Sequence, residues 1–130
     1  MADDLILIVE DNAKNLKLTR DVLQFNGFRT LEATTAEDGI LLAQTQGPDL
    51  ILMDIQLPGI DGVSALDRLR SDPRTAPIPV VALTAYAMKG DQQRFLAAGF
   101  DDCVMKPISV RELPTQVRAC LVAARAADKR

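Results

Sequence analysis

The sequence predicts an α/β domain built on a five-stranded parallel sheet. Five short apolar runs rich in β-branched residues alternate with longer segments that show helical periodicity. Strands joined by helical crossovers are parallel, and right-handed crossovers place helices on both faces of the sheet. With 130 residues the chain has the size of one domain. We therefore expect a single doubly wound, flavodoxin-like domain over residues 1–130, with the strand order 2-1-3-4-5.

The five predicted strands differ little in length, and four of them end at a polar residue. The first stops at Glu10, the third at Asp54, the fourth at Thr84 and the fifth at Lys106. The predicted spans are residues 5–9, about 28–32, 50–53, 80–83 and 103–105.

Each predicted helix carries a sequence signal for its start or its end. Thr35 opens a capping-box pattern, and Ser109 opens a second one with Glu112 three residues later. Pro114, in the second turn of the last helix, removes one backbone hydrogen bond. The folded core is expected over about residues 5–121, and the tail over 123–130 is expected to fray. The predicted helices begin near residues 12, 35, 62, 88 and 109, and the first four end at Gly27, Gly47-Pro48, Asp72-Pro73 and Gly99.

Composition excludes several classes of function. The net charge is −3 and no run of Lys and Arg marks a nucleic-acid surface, so direct nucleic-acid binding is not expected. The chain has no histidine, so any histidine chemistry must come from a partner. No apolar segment has the length of a signal or membrane span, and we predict free thiols at Cys103 and Cys120, a cytoplasmic location and no membrane insertion.

The polar strand ends predict one site. Ligands of open parallel sheets bind outside the carboxyl ends of the strands, and the predicted strand order makes Asp11, Asp54 and Thr84 neighbours. Clustered carboxylates need a cation or a proton, and Mg²⁺ favours oxygen ligands of this kind. Asp54 is then a candidate nucleophile toward a phosphoryl group, with Lys106 and Thr84 as its pairing groups.

Each of these residues also has a simpler interpretation. Asp54 alone is more typical of a helix cap or a turn, and Glu10, Asp11 and Asn12 alone are more typical of a cap for the first helix. Lys106 and Thr84 could be ordinary surface and strand-end residues. The Lys106-Pro107 bond could be cis, which would direct Lys106 into the cleft, although a trans bond is more common.

Four motifs follow one another along the chain: Val9-Glu10-Asp11-Asn12, the run MDIQLPGIDG from Met53 to Gly62, Leu83-Thr84-Ala85-Tyr86-Ala87, and Lys106-Pro107-Ile108. In this order and spacing they resemble the receiver domain of two-component response regulators, from about residue 5 to 121. This resemblance implies Asp54 as phosphoacceptor, Asp11 as a direct Mg²⁺ (or Mn²⁺) ligand, Glu10 as a water-mediated ligand and the Gln56 backbone carbonyl as a third protein ligand. Thr84 would be the switch hydroxyl and Lys106 the phosphate-pairing lysine.

The segments around Thr84 and Lys106 are most similar to stand-alone receivers of the DivK type. One position departs from the common pattern, because Cys103 occupies the place where receivers usually carry a Tyr or Phe that moves on activation. Tyr86, the only tyrosine, is a candidate to take over part of this gating, and a surface-packed aromatic is the equal alternative. Cys103 is expected to pack rather than to sense redox state. The output surface implied by the resemblance includes Tyr86, Met88, Lys89, Phe95 and Cys103.

The predicted function is a phosphorylation switch that takes a phosphoryl group from the phosphohistidine of a sensor kinase or phosphotransfer protein. The output would be altered binding to a protein effector or onward phosphorelay, and catalysis would be limited to its own phosphorylation and dephosphorylation. Two alternatives stay open. One is an unphosphorylated receiver-like scaffold. The other is a small phosphatase of the haloacid-dehalogenase type, although Gln56 stands where those enzymes usually place a second Asp.

Overall fold

The computed structural model of the protein describes residues 4–57, 59–85 and 90–128. It contains a five-stranded parallel sheet in the order β2-β1-β3-β4-β5, as predicted. Each strand pairs in parallel with its neighbours, for example Val9 with Met53 and Asp54 with Leu83. The strands are β1 (Leu5–Val9), β2 (Arg29–Ala33), β3 (Leu50–Asp54), β4 (Val80–Thr84) and β5 (Asp102–Met105).

Five helices flank the sheet and follow the strands in alternation. Asn12 caps the first by accepting from the amides of Lys14 and Asn15, and Thr35 caps the second by accepting from Asp38. Gly47 and Gly99 end the second and fourth helices in the left-handed conformation, as their sequence predicts. The helices are α1 (Ala13–Phe25), α2 (Ala36–Gln46), α3 (Gly62–Ser71), α4 (Asp91–Ala98) and α5 (Glu112–Asp128).

The central strands are buried on both faces, which explains why they read as continuous apolar runs. A hydrophobic core lies on each face of the sheet, and alternate residues of a strand pack into one core or the other. Leu7 and Val9 of β1 pack with α2, α3 and α4 on one face, whereas Ile6 and Ile8 pack with α1 and α5 on the other. Complete burial of each such side chain contributes about 1.5–3 kcal/mol, so the sheet is a rigid base for the loops at its edges.

The last helix differs from its prediction at both ends. Ser109 caps the turn that precedes the helix, with its hydroxyl accepting from Glu112 N at 3.1 Å. Regular helix starts only at Glu112, because Pro114 has no amide hydrogen to donate to Val110. Pro114 therefore lies in the first turn, where its missing donor costs little. At the other end α5 continues to Asp128, so residues 123–128 are helical where fraying was expected.

Smaller differences lie at other boundaries. β2 begins and ends one residue later than predicted, at Arg29 and Ala33. Helix α4 begins at Asp91, and the expected start near Met88 lies outside the described residues.

The Lys106-Pro107 peptide bond is cis.

Candidate functional site

Four strands of the sheet deliver polar side chains to one place at their carboxyl ends. Asp54 and Thr84 are the last residues of β3 and β4, and both are buried. Glu10 directly follows β1 and Lys106 directly follows β5. Because the strands are parallel and adjacent, these four ends share one edge of the sheet, as the sequence predicts.

Three carboxylates form the acidic part of this site. Glu10, Asp11 and Asp54 each offer an oxygen within 4.8 Å of the others. Glu10 is 1% exposed and Asp54 is 3% exposed, whereas Asp11 faces solvent. Carboxylates this close repel one another unless a cation or a proton intervenes. The cluster could therefore hold a hard divalent cation, which prefers oxygen ligands.

Lys106 supplies the positive charge that faces these carboxylates. Its ammonium donates a hydrogen bond to Asp54 Oδ2 at 3.0 Å and forms an ion pair with Glu10 Oε1 at 2.7 Å. The Lys106 amide donates to Thr84 O at 2.8 Å, which ties the loop after β5 to the end of β4. Lys106 is thus a component of the site rather than a surface lysine.

Glu10 is held on both sides but keeps one oxygen without a hydrogen bond. The Asn12 amide donates to Oε2 at 3.3 Å. Oε1 is buried and has the Lys106 ion pair but no hydrogen bond of good geometry. The resemblance implied a pairing of Lys106 with Asp54, and the sequence carried no signal that Lys106 would also contact Glu10.

Burial and neighbouring charges shift the protonation of this pair. Burial, and then the nearby Asp54 carboxyl, raises the pKa of Glu10 to about 7, although Lys106 opposes the rise. Burial alone would lower the pKa of Lys106, but its contacts with Glu10 and Asp54 outweigh burial and raise that pKa. Without a bound cation, the site is therefore prepared to hold an additional proton near neutral pH.

The loop after β3 is fixed to the same carboxylate. The Gln56 amide donates to Asp54 Oδ1 at 3.0 Å, and Lys106 donates to the other oxygen, Oδ2. Asp54 does form the turn that its simpler interpretation predicted, but it caps no helix. Asp61 caps α3 and Asn12 caps α1.

Of the two candidate switch positions, Cys103 and Tyr86, the structure describes only Cys103. Cys103 is 2% exposed and belongs to the core that also contains Phe95 and Phe100, so placing Cys103 and Phe95 at or near the surface was wrong. Burial, and then the charge of Asp102, raises the pKa of the Cys103 thiol to about 11, which agrees with packing rather than redox sensing. Cys120 is also a free, buried thiol. Tyr86, Met88 and Lys89 lie outside the described residues.

Comparison with known proteins identifies the class of protein. A family model described as the response regulator receiver domain matches residues 6–118. The chain therefore belongs to the receiver domains of two-component response regulators, which are signalling domains.

Individual relatives agree with this family. The polar-differentiation response regulator DivK of Brucella ovis is 40% identical over 116 residues, which cover 89% of this chain and 94% of that protein. A crystal structure of a putative response regulator from Chloroflexus aurantiacus has a TM-score of 0.87 at 29% identity, covering 92% of this chain and 98% of that one. The receiver domain of a sensor histidine kinase from Pseudomonas aeruginosa has a TM-score of 0.84 at 34% identity over 92% and 98% of the two chains. Its structure has a magnesium ion coordinated in the active site cleft.

Within the described part of the chain, none of the helices has the length and apolar character that crossing a bilayer requires.

Proposed function

We propose that this receiver is a phosphorylation switch in which Asp54 accepts a phosphoryl group in a reaction that requires Mg²⁺ or Mn²⁺. The observation that carries the proposal is the position of Lys106 Nζ, 3.0 Å from Asp54 Oδ2 and 2.7 Å from Glu10 Oε1, at a cluster of three carboxylates. An ammonium in this place pairs with Asp54 before the reaction and can pair with a phosphoryl oxygen after it.

The donor set fits a magnesium ion. Mg²⁺ keeps several waters and takes one or two carboxylates, which matches Asp11 and Asp54 with the Gln56 backbone carbonyl as a further oxygen. Glu10 Oε1, which is buried and pairs with Lys106 at 2.7 Å, can use its other lone pair to accept from a metal-bound water. When bound, the ion would reduce the repulsion between Asp54 and an incoming phosphoryl group.

The remaining chemistry belongs to side chains of this chain. An Asp54 carboxylate oxygen forms a bond to phosphorus while the phosphorus–nitrogen bond of the donor breaks, and the departing imidazole keeps the electron pair and takes up a proton. Lys106 stabilises the added negative charge, and the Thr84 hydroxyl, at the adjacent strand end, donates to another phosphoryl oxygen. Thr84 and Lys106 would make these contacts only after phosphorylation, so they can shift the protein between two states.

The partners follow from what the chain contains. It has no histidine, so the phosphohistidine must belong to a sensor histidine kinase or a histidine phosphotransfer protein. We place the protein in the cytoplasm, where these donors present their phosphohistidine. The similarity to DivK supports an output by altered binding to a protein effector or by phosphorelay. In this proposal the chain catalyses only its own phosphorylation and dephosphorylation.

Intact-mass measurement after incubation with acetyl phosphate tests the proposal. The wild type should gain one phosphate only when Mg²⁺ is present, and Asp54→Asn should gain none. Asp49→Asn is the matched control. Asp49 lies at the amino-terminal ends of the strands, far from Asp54, so its loss should leave phosphorylation intact. No mass gain, together with no stable beryllofluoride complex, would contradict the proposal and favour the scaffold function. Turnover of small phosphate esters would favour the phosphatase.

A further inference from the structure

Gly62, the first residue of α3, lies directly against the backbone of Asp54 and Ile55. A Cβ atom at Gly62 would be 2.9 Å from Ile55 Cα and 3.0 Å from the Asp54 carbonyl oxygen. The Gly62 amide donates to Ile55 O at 3.2 Å, so the two segments are in contact through main-chain atoms. The lack of a side chain at position 62 allows the start of α3 to pack on the end of β3 that carries Asp54.

The glycine at position 62 is required for space and not for backbone conformation. Five of the seven glycines have positive φ, and Gly39 and Gly62 are the two that do not. Alanine is compatible with the Gly62 backbone and is the better helix former. Local preference therefore favours alanine, and only the close contact with Asp54 and Ile55 opposes it.

The main chain of Asp54 and Ile55 has little freedom to move away from an added methyl group. On its other side the Ile55 amide donates to Leu83 O of β4 at 3.0 Å, and Asp54 is paired with Leu83 in the sheet. Contacts between carbon atoms are favourable at about 3.5 Å or more, so a methyl group at position 62 requires a shift of roughly 0.6 Å. Binding sites lose function when their groups are displaced by about this amount.

We propose that Gly62 is a positioning residue that sets where the Asp54 carboxylate and the Gln56 carbonyl lie in the cation site. The start of α3 lies against the Asp54–Ile55 peptide, and Gln56 follows that peptide directly. The inference rests on the proposed function, because it assigns Gly62 a role in the same Mg²⁺ and phosphoryl site.

Gly39 provides a matched control on the same face of the sheet. A Cβ atom at Gly39 would be 2.7 Å from Val9 Cγ2 and 3.2 Å from Val9 Cγ1. These atoms belong to the side chain of Val9, so the conflict falls first on core packing and reaches the main chain before Glu10 only through that side chain. An alanine at either position creates a steric conflict of similar size, but only the one at position 62 acts directly on the backbone of the site.

The test compares Gly62→Ala with Gly39→Ala by titration with MgCl₂ alone in a calorimeter, by the rate of phosphorylation with acetyl phosphate and by thermal unfolding. Gly62→Ala should bind Mg²⁺ about ten-fold more weakly and be phosphorylated more slowly. Gly39→Ala should lose thermal stability but bind Mg²⁺ within about two-fold of the wild type. Equal Mg²⁺ affinities of Gly62→Ala and wild type, or equal losses in both variants, would overturn the inference.

A second pair of variants tests the inference even if Gly62→Ala does not fold. The Asp61 side chain caps α3 by accepting from Ser64 N at 2.8 Å. Asp61→Asn and Asp61→Ala remove the same charge, but only the alanine removes the cap and releases the first turn. We expect Mg²⁺ affinity about three-fold weaker in Asp61→Ala than in Asp61→Asn, and equal affinities would contradict the role of Gly62. A wild type that binds Mg²⁺ but gains no phosphate would contradict only the proposed phosphorylation.

Discussion

Acidic residues lie at both ends of the strands. We call the amino-terminal ends of the strands the amino edge and their carboxyl-terminal ends the carboxyl edge. The groups that pair with the carboxylates differ between the two. At the amino edge Asp101 pairs with Arg70 at 2.8 Å and accepts from Val80 N, and Asp4 pairs with Arg125. Asp49, at the same edge, accepts from Leu5 N at 2.8 Å. Each of these carboxylates has its own cation or backbone donor.

The carboxyl edge is built differently. Glu10 and Asp54 share one described cation, Lys106, and Asp11 lies beside them. At the amino edge the charges join neighbouring segments of the fold, whereas at the carboxyl edge three carboxylates lie beside one ammonium. The crowding of carboxylates around one cation, rather than the presence of acidic residues, distinguishes the proposed binding edge from the structural edge.

Removal of the cation from each edge should give the largest contrast. Lys106→Met leaves Glu10 and Asp54 buried together without a counter-ion, and we expect a loss of about 3 kcal/mol in the free energy of unfolding without Mg²⁺. Arg125→Met breaks a pair whose arginine is half exposed, and the expected loss is below about 1 kcal/mol. Urea unfolding in EDTA measures both values. Equal losses would show that the two edges do not differ as described.

Added Mg²⁺ should act on only one edge. A ligand that binds only the folded state at ten times its dissociation constant stabilises it by about 1.4 kcal/mol. Wild type and Asp49→Asn should gain this stability on addition of MgCl₂, whereas Asp11→Asn should gain much less. The check is the melting temperature with and without MgCl₂ at constant ionic strength. The same gain in all three proteins would place the bound cation elsewhere.

A pH dependence should also be confined to the carboxyl edge. The pKa of Glu10 is raised from 4.5 to about 7 in the folded protein, so its folded state binds a proton more tightly than its unfolded state. The stability from this proton is fully present below pH 4.5 and is lost as pH rises through 7. In EDTA, the melting temperature of the wild type should therefore fall between pH 5 and 8 relative to Glu10→Gln. Parallel pH profiles of the two proteins would contradict this assignment.

The sequence predicted the fold almost completely, because the fold depends on periodicity and strand ends that are local signals. The same signals placed Glu10, Asp11, Asp54, Thr84 and Lys106 at one edge. The exact helix boundaries were harder to predict, because the effect of Pro114 on the start of α5 depends on where the first turn forms. Pro114 delays the start of α5 because its missing hydrogen bond falls in the first turn.

Close contacts in the site could not be predicted from the sequence. The Gly62 contact with Asp54 and Ile55 depends on how α3 packs on the sheet. The pairing of Lys106 with both Glu10 and Asp54 depends on the exact positions of three side chains. The output surface implied by the resemblance puts Cys103 at or near the surface, although packing is also expected of this thiol. The smaller side chain instead packs in the core with Phe95 and Phe100.

The most direct test of the central claim identifies which of the 18 acidic residues carries the phosphate. After reaction with acetyl phosphate and Mg²⁺, borohydride reduces an aspartyl phosphate to homoserine, which peptide mass spectrometry can locate. Our account predicts homoserine at position 54 alone. Homoserine at Asp101, Asp49 or another amino-edge residue, or its absence from position 54, would contradict the claim that the carboxyl edge is the site of phosphorylation.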